Sequence, residues 1–416
     1  MNILLINHYA GSREMGMEYR PYYLARHWVR MGHQVTIVTA SFSHLRLKNP
    51  EIHGETEARK IDGINYVFLK TPGYSHNDRK RAFNVFSFVR QLYFLAPTLA
   101  QSYRPDVVIA SSTYPYDIRP ARRIARLSGA KLVYELHDIW PLSPMELYGY
   151  SRSHPLMAYT KIEADYAFEK SDLVVSLLPF ADQYLAEQGL TVQRYVHIPN
   201  GVEIEGDPPR KPPQKHLDLL GRYREKGMFI VLYVGGFSAA NSLEDFIKAA
   251  GRCGEDVMFI TVGNGPLKVG YKKHARLCGI NNILFLDGLP KDQLPEVLAL
   301  ADALYIGAKH TGLYRYGVSM NKLFDYMLAA KPIIFGVDAA NNPVNEAGCG
   351  VTIESEDADA IVRAVEQLKS ATAQERAEMG RKGRVYVEQR HDYAKLAQNF
   401  LDAVEELSAA PAKREG

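Results

Sequence analysis

The segment RYGVSMNKLFDYMLAAKPIIF, from Arg315 to Phe335, predicts a loop, a helix and a buried strand in that order. The loop is polar and contains glycine, and it leads into Ser319, a good N-cap residue for a helix that runs to about Ala330. Pro332 marks the end of the helix, and the apolar residues 333–335 are typical of an interior strand. The segment is therefore an αβ unit, the building block of a layered α/β fold.

The polar residues of this unit suit an anionic ligand. The first N–H groups of a helix attract anions, Lys322 can place a positive charge on a phosphate, and Asp325 can accept hydrogen bonds from two ribose hydroxyls. Together these groups fit a nucleotide diphosphate. The alternative is an ordinary capped helix whose lysine and aspartate are solvated.

Composition points to a globular protein with two or three domains. The chain has 416 residues, of which 46% are hydrophobic and 23% charged. Its cysteines are scattered without a CxxC pair, which favours a reducing compartment and argues against a zinc site. The net charge of +3 is too small to indicate nucleic-acid binding. Neither a signal peptide nor a membrane-spanning run is predicted, so we expect a cytoplasmic protein.

Both halves of the chain alternate strands and helices, which predicts parallel sheets. In the first half, residues 2–7 and 34–39 are predicted strands, joined by a helix from about Met17 to Met31 whose Leu24, Trp28 and Met31 point inward. No GxGxxG follows the first strand. In the second half, glycine turns follow the strands, and ligands bind at such strand ends. These turns contain Gly235, Gly236, Gly263, Gly265 and Gly288.

A proline-rich segment separates the halves. Residues 205–217 contain four prolines and five charged residues, a composition typical of a linker. We predict a first domain at 1–204, a linker at 205–222, a second domain at 223–390 and a C-terminal helical segment at 391–416 that returns to the first domain.

The first domain contains a strongly basic stretch. Ten Lys and Arg residues against two acids lie between Arg79 and Lys131, and the predicted helix 79–103 is rich in aromatics. Pro97 is expected to kink this helix. It is either a core helix with basic ends or a segment that lies on a membrane. Because the basic excess continues to Arg126, we favour binding of residues 79–126 to an anionic membrane surface.

A histidine at a strand end is the candidate catalytic residue. His137 follows a predicted buried strand, and in a cleft it could orient or deprotonate a hydroxyl. The alternative is a structural histidine bonded to the backbone. Glu18, near Gly16 in the first loop, could bind substrate hydroxyls, or could simply stabilise a helix N-terminus.

Seven segments together resemble one enzyme family over nearly the whole length. They are GMEYRPYYLARHWVRMGHQVTIVT, ELHDIWP, IPNGVE, LYVGGF, VGNGP, FLDGLPKDQLP and SMNKLFDYMLAAKPII. With these segments the chain resembles the retaining glycosyltransferases of the GT-B fold, of the large bacterial family 4. The resemblance implies two Rossmann-like parallel-sheet domains that face each other across a cleft.

The resemblance also implies roles for individual residues. His137 would be catalytic, and Gly16, Glu18 and Asp138 would bind the acceptor. Donor binding would fall to Gly235, Gly236, Gly263, Asn264, Gly265, Gly288, Leu289, Ser319, Asn321, Lys322 and Asp325. No metal or other cofactor is expected. The donor would be a UDP-linked, N-acetylated or deoxy hexose, and the acceptor a polyprenyl-linked saccharide at the inner face of the cytoplasmic membrane. This reaction belongs to lipopolysaccharide, O-antigen or capsule synthesis.

Three departures from the family pattern keep alternatives open. The family often has two acids seven apart, but here Val318 stands seven positions before Asp325, which itself replaces a glutamate. The Arg and Lys that typically hold the diphosphate have no counterpart in GGFSAANSL. The alternatives are a UDP-sugar epimerase or hydrolase of the same architecture, and a non-catalytic nucleotide-sugar-binding protein.

Overall fold

The computed structural model describes residues 1–74, 79–206 and 208–409. The chain divides into two compact units. Residues Met1–Glu203 and the segment that begins at Tyr393 form the first unit, and residues Ile204–Asp392 form the second. Asp207 of the predicted linker and residues 410–416 of the predicted C-terminal segment lie outside the described residues.

The first unit contains a single large sheet. Its strands are β1 (Asn2–Ile6), β2 (Gln34–Ala40), β3 (Thr56–Ile61), β4 (Ile64–Leu69), β5 (Val107–Ala110), β6 (Lys131–Leu136), β7 (Leu173–Ser176) and β8 (Tyr195–His197). Its helices are α1 (Arg20–Arg30), α2 (Arg79–Tyr103), α3 (Ile118–Ser128), α4 (Leu142–Tyr148), α5 (Pro155–Lys170) and α6 (Ala181–Glu187). The strand order is β3-β4-β2-β1-β5-β6-β7-β8. Every neighbouring pair is parallel except β3 and β4.

The second unit repeats this arrangement with six parallel strands. They are β9 (Phe229–Val234), β10 (Val257–Val262), β11 (Ile283–Leu286), β12 (Ala303–Gly307), β13 (Ile333–Gly336) and β14 (Gly350–Thr352), in the order β11-β10-β9-β12-β13-β14. The helices are α7 (Gln214–Glu225), α8 (Leu243–Ala250), α9 (Lys268–Leu277), α10 (Leu294–Ala299), α11 (Asn321–Leu328), α12 (Pro343–Ala347), α13 (Ala358–Ser370) and α14 (Ala373–Arg390). β9 and β10 are buried along their whole length, as expected for parallel strands covered on both faces. The predicted α/β architecture is confirmed.

The last helix, α15 (Tyr393–Ala409), belongs to the first unit. It packs against α1, where the indole N–H of Trp28 donates to the carbonyl of Ala397 at 3.0 Å. The ring of Trp28 meets that of Phe400 edge-on at 5.2 Å between centroids. No helix in the described ranges is long and apolar enough to cross a membrane.

Three predictions about local structure are wrong in part. Met31 does not point inward: α1 ends at Arg30, and Met31 is exposed because the chain turns there into Gly32, whose φ is +90°. Residues 214–222 of the predicted linker form most of α7, and Leu220 on that helix is fully buried.

The third concerns the start of the helix in residues 315–335. α11 begins at Asn321 with Met320 at the N-cap position and no capping side chain, so Ser319 is not the cap.

Pro97 lies within α2, which is helical from Arg79 to Tyr103. A proline has no N–H, so the carbonyl four residues earlier, on Tyr93, loses its helical partner. The guanidinium of Arg123 on α3 donates to that carbonyl at 3.2 Å. A side chain from the neighbouring helix thus replaces the missing hydrogen bond.

Candidate active site

The predicted ligand-binding residues of the second unit lie at one edge of its sheet. All six strands are parallel, so the turns after β9, β10 and β11 and the loop between β12 and α11 lie at their carboxyl ends. The strand order reverses between β9 and β12, and ligands of open α/β sheets bind at such a reversal. This edge is therefore the place in the second unit where a ligand is expected.

Two of the predicted glycines are required by contacts between loops. A Cβ on Gly263 would lie 1.9 Å from the carbonyl oxygen of Gly235, and one on Gly265 would lie 2.6 Å from the backbone of Phe237. The resemblance assigns both glycines to donor binding, and the packing of the loops by itself also requires a glycine at each position. Of the predicted glycines in the second unit, Gly236 alone has no atom within 4 Å of the position that a Cβ would take. Its backbone is therefore open to a ligand on the side where a side chain would point.

Lys268 was not predicted, and it fixes the turns after β10 and β11. Its ammonium donates at 2.8 Å to the carbonyls of Gly263 and Leu286 and to the Asp287 carboxylate, and at 3.2 Å to the side chain of Asn264. Lys268 is itself buried. Nothing in the sequence around it signals this role, because it depends on burial.

Lys322 lies at the centre of the strand-end residues. Its Nζ is 3.2 Å from the hydroxyl of Tyr233 and 2.5 Å from Oδ1 of Asn241, and it lies 4.8 Å from the Tyr233 ring centroid. A Cβ on Gly235 would be 3.3 Å from this nitrogen. We call Tyr233, Gly235, Asn241 and Lys322 the Lys322 group.

The partners of Lys322 are all neutral. Within the described ranges no carboxylate pairs with its ammonium, and the removal of water by the surrounding protein lowers its pKa to about 7. A lysine in such surroundings is stabilised when an anion binds beside it. The Lys322 group is therefore suited to an anionic ligand.

Asp325 follows Lys322 by one helical turn but is already paired. Its Oδ1 lies 2.9 Å from Nζ of Lys291, and about a fifth of each side chain is exposed. Lys291 begins a short 3-10 turn after β11, so this ion pair links the β11 turn, with Gly288 and Leu289, to α11. A ribose that binds Asp325 would have to share its carboxylate with Lys291.

The residue at the position where the family often has a second acid, Val318, faces the interior. Val318 is buried, and the side chain of Asn341 accepts from its N–H at 2.7 Å and donates to its carbonyl at 3.0 Å. Val318 therefore has a structural role.

A separate hollow of about 660 Å³ beside β13, lined among others by His310, Arg315 and Asp338, contains none of the predicted site residues.

In the first unit, His137 is part of a buried network at the ends of β5 and β6. Oε1 of Glu135 accepts from Nε of Arg20 at 2.9 Å, and both side chains are fully buried. Oε2 of Glu135 accepts from the hydroxyl of Ser111 at 2.5 Å and lies 3.2 Å from Nε2 of His137. We call Arg20, Ser111, Glu135 and His137 the His137 group.

Electrostatics keep the carboxylate of this group ionised. Burial by itself raises the pKa of Glu135, but the charge of Arg20 and the hydrogen bonds from His137 and Ser111 outweigh it and lower the pKa to about 2. Facing this carboxylate, Nε2 of His137 carries a proton. No described residue bonds to Nδ1, which is left to accept a hydrogen bond from a hydroxyl. The predicted structural alternative had backbone partners, whereas the partners observed are side chains.

The predicted acceptor residues lie on the loops after β1 and β6. Gly16 has a φ of +92°, and its N–H donates to the carbonyl of Ser12 at 2.8 Å. Asp138 is exposed, and Glu18 lies close enough for the two carboxylates to repel each other. Arg46, which was not predicted, is buried beneath the first loop and donates to the carbonyl of Ala10 at 3.0 Å.

Each of the two units matches the model of a glycosyltransferase family. Residues 15–205 match the model described as Glycosyltransferase Family 4, and residues 222–386 match that of Glycosyl transferases group 1. The chain belongs to the family 4 glycosyltransferases of the GT-B fold. No curated protein matches it in sequence.

Solved structures show the same fold at low sequence identity. Sucrose-phosphate synthase from Thermosynechococcus elongatus has a TM-score of 0.76 at 14% identity, covering 99% of this chain and 100% of that chain. Anabaena HepE, in complex with UDP and glucose, has a TM-score of 0.66 at 16% identity, with coverages of 97% and 99%. WaaG, a glycosyltransferase involved in lipopolysaccharide biosynthesis, has a TM-score of 0.65 at 14% identity, with coverages of 97% and 99%. These likenesses establish the GT-B fold.

Proposed function

We propose that this glycosyltransferase moves a hexosyl or N-acetylhexosaminyl group from a UDP-sugar to a lipid-linked saccharide, with retention at the anomeric carbon. The observation that carries the proposal is the Lys322 ammonium, which lies at the strand ends of the second unit and whose partners among the described residues are neutral. A nucleotide diphosphate is the ligand whose charge such a group complements.

In this proposal the donor lies over the second unit. Lys322 binds the diphosphate together with the backbone around Asn321 and Ser319, and Asp325 receives the ribose hydroxyls. The HepE complex with UDP and glucose supports the choice of uridine nucleotide, since that protein has the same fold. The charge of the leaving diphosphate is stabilised by Lys322 and the N-terminus of α11, with no metal assigned to the step. Among the described residues, no group of three or more His, Cys, Asp or Glu side chains could hold a metal ion.

The His137 group would hold the acceptor hydroxyl. Because Glu135 engages Nε2 of His137, Nδ1 is the nitrogen that can accept from the incoming hydroxyl. The hydroxyl oxygen attacks the anomeric carbon on the face from which UDP departs. The bond from that carbon to the phosphate oxygen breaks as the hydroxyl turns its proton from Nδ1 of His137 to the leaving phosphate oxygen, which takes it. His137 therefore orients and polarises the nucleophile, and Asp138 and Glu18 bind neighbouring sugar hydroxyls.

The proposed acceptor is anchored in the inner face of the cytoplasmic membrane, and residues 79–126 provide the surface that meets it. Phe83, Phe86 and Phe94 on α2 are exposed next to basic residues. Exposed aromatic side chains beside cations are typical of proteins that lie on anionic lipid. WaaG, which has the same fold and acts in lipopolysaccharide biosynthesis, supports a role in cell-surface polysaccharide synthesis.

A panel of UDP-, GDP- and ADP-sugars tests the proposal. Each donor is incubated with the protein and a bacterial lipid-linked saccharide extract, and nucleotide release and lipid mass are measured together. The proposal expects one UDP-sugar to give UDP and a matching gain in lipid mass. Lys322→Ala should lower both signals strongly, and Lys382→Ala, which changes an exposed lysine on α14, should leave them unchanged.

Three results would favour the alternatives. Release of UDP without a gain in lipid mass would indicate a hydrolase, provided that other transferases can use lipids of the same extract as acceptors. Conversion of the UDP-sugar to an isomer would indicate an epimerase. Tight UDP binding without turnover of any donor would favour a non-catalytic binding protein.

A further inference from the structure

Helices α2, α3 and α5 of the first unit form a continuous layer. α3 packs against both α2 and α5. On one side Arg123 donates to the Tyr93 carbonyl, and its guanidinium lies 4.4 Å from the Tyr93 ring centroid. On the other, Arg119 donates to Glu163 at 2.8 Å and lies 4.2 Å from the ring centroid of Tyr166. The arginines of α3 thus lie between two helices and bind both.

Two stripes of exposed apolar side chains flank these arginines. One is on α2, and the other, which sequence reasoning did not single out, is on α5. Their members, which are 41% to 65% exposed, are Phe83, Phe86, Tyr93 and Phe94 on α2 and Leu156, Tyr159 and Ile162 on α5. The α5 residues are three positions apart and so lie along one side of that helix. The core-facing side of α5 is separate and contains Met157, Ala164 and Phe168.

The layer is positively charged. α2 and α3 contain no acidic residue, and the acids of α5 are neutralised by neighbouring cations. These pairs are Glu163 with Arg119 at 2.8 Å, Asp165 with Lys161 at 2.8 Å and Glu169 with Lys170 at 3.7 Å. Arg90, which lies 5.3 Å from the Phe94 ring centroid, and Arg126 add positive charge. A basic layer with apolar stripes complements an anionic bilayer surface, whereas two copies of it would repel each other.

We propose that α5 is a second membrane anchor, so that the bilayer contacts three helices and the apolar stripes of α2 and α5 enter the lipid on either side of the α3 arginines. This inference rests on the membrane surface in the proposed function and extends it beyond residue 126. Its ligand is the head-group and upper acyl region of a bilayer that contains anionic phospholipid. Tyr93 and Tyr159 place phenol rings at the polar boundary, where tyrosine is favoured.

Vesicle flotation of the full chain tests the second anchor. The vesicles contain phosphatidylcholine alone or mixed with phosphatidylglycerol. The triple variant Leu156→Ser, Tyr159→Ser, Ile162→Ser should lower the partition coefficient on the anionic vesicles by about tenfold or more, because each side chain contributes apolar burial. The matched control is Val269→Ser with Leu277→Ser, which removes two exposed apolar side chains from α9 and should change nothing.

Three results would overturn the inference in distinguishable ways. If the α5 variant binds as well as the unchanged protein while Phe83→Ser with Phe86→Ser binds poorly, α5 is not an anchor and the α2 surface remains. If the unchanged protein does not bind anionic vesicles, the proposal that residues 79–126 bind a membrane is wrong as well. If the α5 variant instead dissociates a dimer seen in sedimentation, the stripe is a contact between copies.

A single substitution gives an independent measurement that does not depend on removing three side chains. Ile162→Trp should show a blue-shifted tryptophan emission on phosphatidylglycerol vesicles and quenching by brominated lipid. Val269→Trp on α9 should show neither. Unshifted, unquenched emission from Trp at position 162 on bound vesicles would contradict the inference. UDP affinity, measured for every variant, verifies that each remains folded.

Discussion

In the His137 group the buried charges of Arg20 and Glu135 neutralise each other, whereas in the Lys322 group the hydrogen-bond partners of the ammonium, within the described part of the chain, are a phenol and an amide. The charges of the first arrangement balance each other without a ligand. The second gains Coulomb energy only when an anion binds. In the proposed function the two strand-end sites take different parts of one reaction, a neutral hydroxyl in the first unit and a diphosphate in the second.

Breaking the ion pair of the His137 group should have the largest effect. Arg20→Met leaves Glu135 buried without its cation, and we expect a loss of about 3–5 kcal/mol in the free energy of unfolding of the first unit. Denaturant unfolding followed by circular dichroism measures it. Arg30→Met removes a half-exposed arginine 3.7 Å from Glu203 and should cost less than about 1 kcal/mol. Equal losses in the two variants would contradict the contrast in burial.

Removing the lysine should act on binding rather than stability. Lys322→Ala should weaken UDP binding about 10- to 100-fold, the usual range for one charged hydrogen bond, which is worth about 1.5–3 kcal/mol. Isothermal titration calorimetry measures the affinity, and Lys382→Ala is the control. Unchanged UDP affinity in Lys322→Ala would remove the lysine from the donor site.

Asp325 should discriminate the sugar of the nucleotide. We expect Asp325→Asn to weaken UDP binding about tenfold, because a charged acceptor for the ribose hydroxyls becomes a neutral one. The unchanged protein should prefer UDP over 2′-deoxy-UDP, and the variant should lose most of that preference. A variant that discriminates as well as the unchanged protein would show that the carboxylate serves only Lys291.

The pH dependence of donor binding sharpens the contrast between the sites. Burial lowers the pKa of Lys322 to about 7 in the free protein, and a bound diphosphate favours the protonated form. UDP affinity should therefore fall as pH rises above 7, by about fivefold at one pH unit above that pKa. Calorimetry in two buffers of different ionisation enthalpy should detect proton uptake on binding.

Lys322→Arg is the matched variant, since a guanidinium remains charged over this range. It should bind UDP with little dependence on pH and without proton uptake. Binding by the unchanged protein that neither weakens with rising pH nor takes up protons would mean that Lys322 is already charged in the free state.

The depressed pKa of Glu135 affects stability in the acid range instead. The stability it contributes is lost only as pH falls from about 4.5 towards 2.

The strands that sequence analysis found are those with continuous apolar runs. β1, β2 and β13 lie within one residue of the predicted ranges 2–7, 34–39 and 333–335, because parallel strands covered on both faces have a nearly unbroken hydrophobic pattern. β3 was missed because it is an edge strand with no buried residue, and its sequence TEARKI is largely polar. β14 was missed because three residues are too few for a pattern to emerge.

Helix boundaries failed for a different reason. Ser319 has the chemistry of an N-cap, yet α11 begins two residues later, since the loop before it is held by Asn341. The proline-rich composition indicated a linker to residue 222, but α7 buries Leu220 within the second unit. In both cases tertiary contacts decided where the helix starts.

By itself the sequence determined the α/β class, the glycine turns at the strand ends and the identity of His137, Lys322 and Asp325 as candidates, because periodicity and residue type carry that information. Only the tertiary structure decided what surrounds each of them. Glu135 next to His137, Lys291 next to Asp325 and the neutral partners of Lys322 come from distant parts of the chain. The charge state of an ionisable group depends on its neighbours in space, and a linear pattern does not contain them.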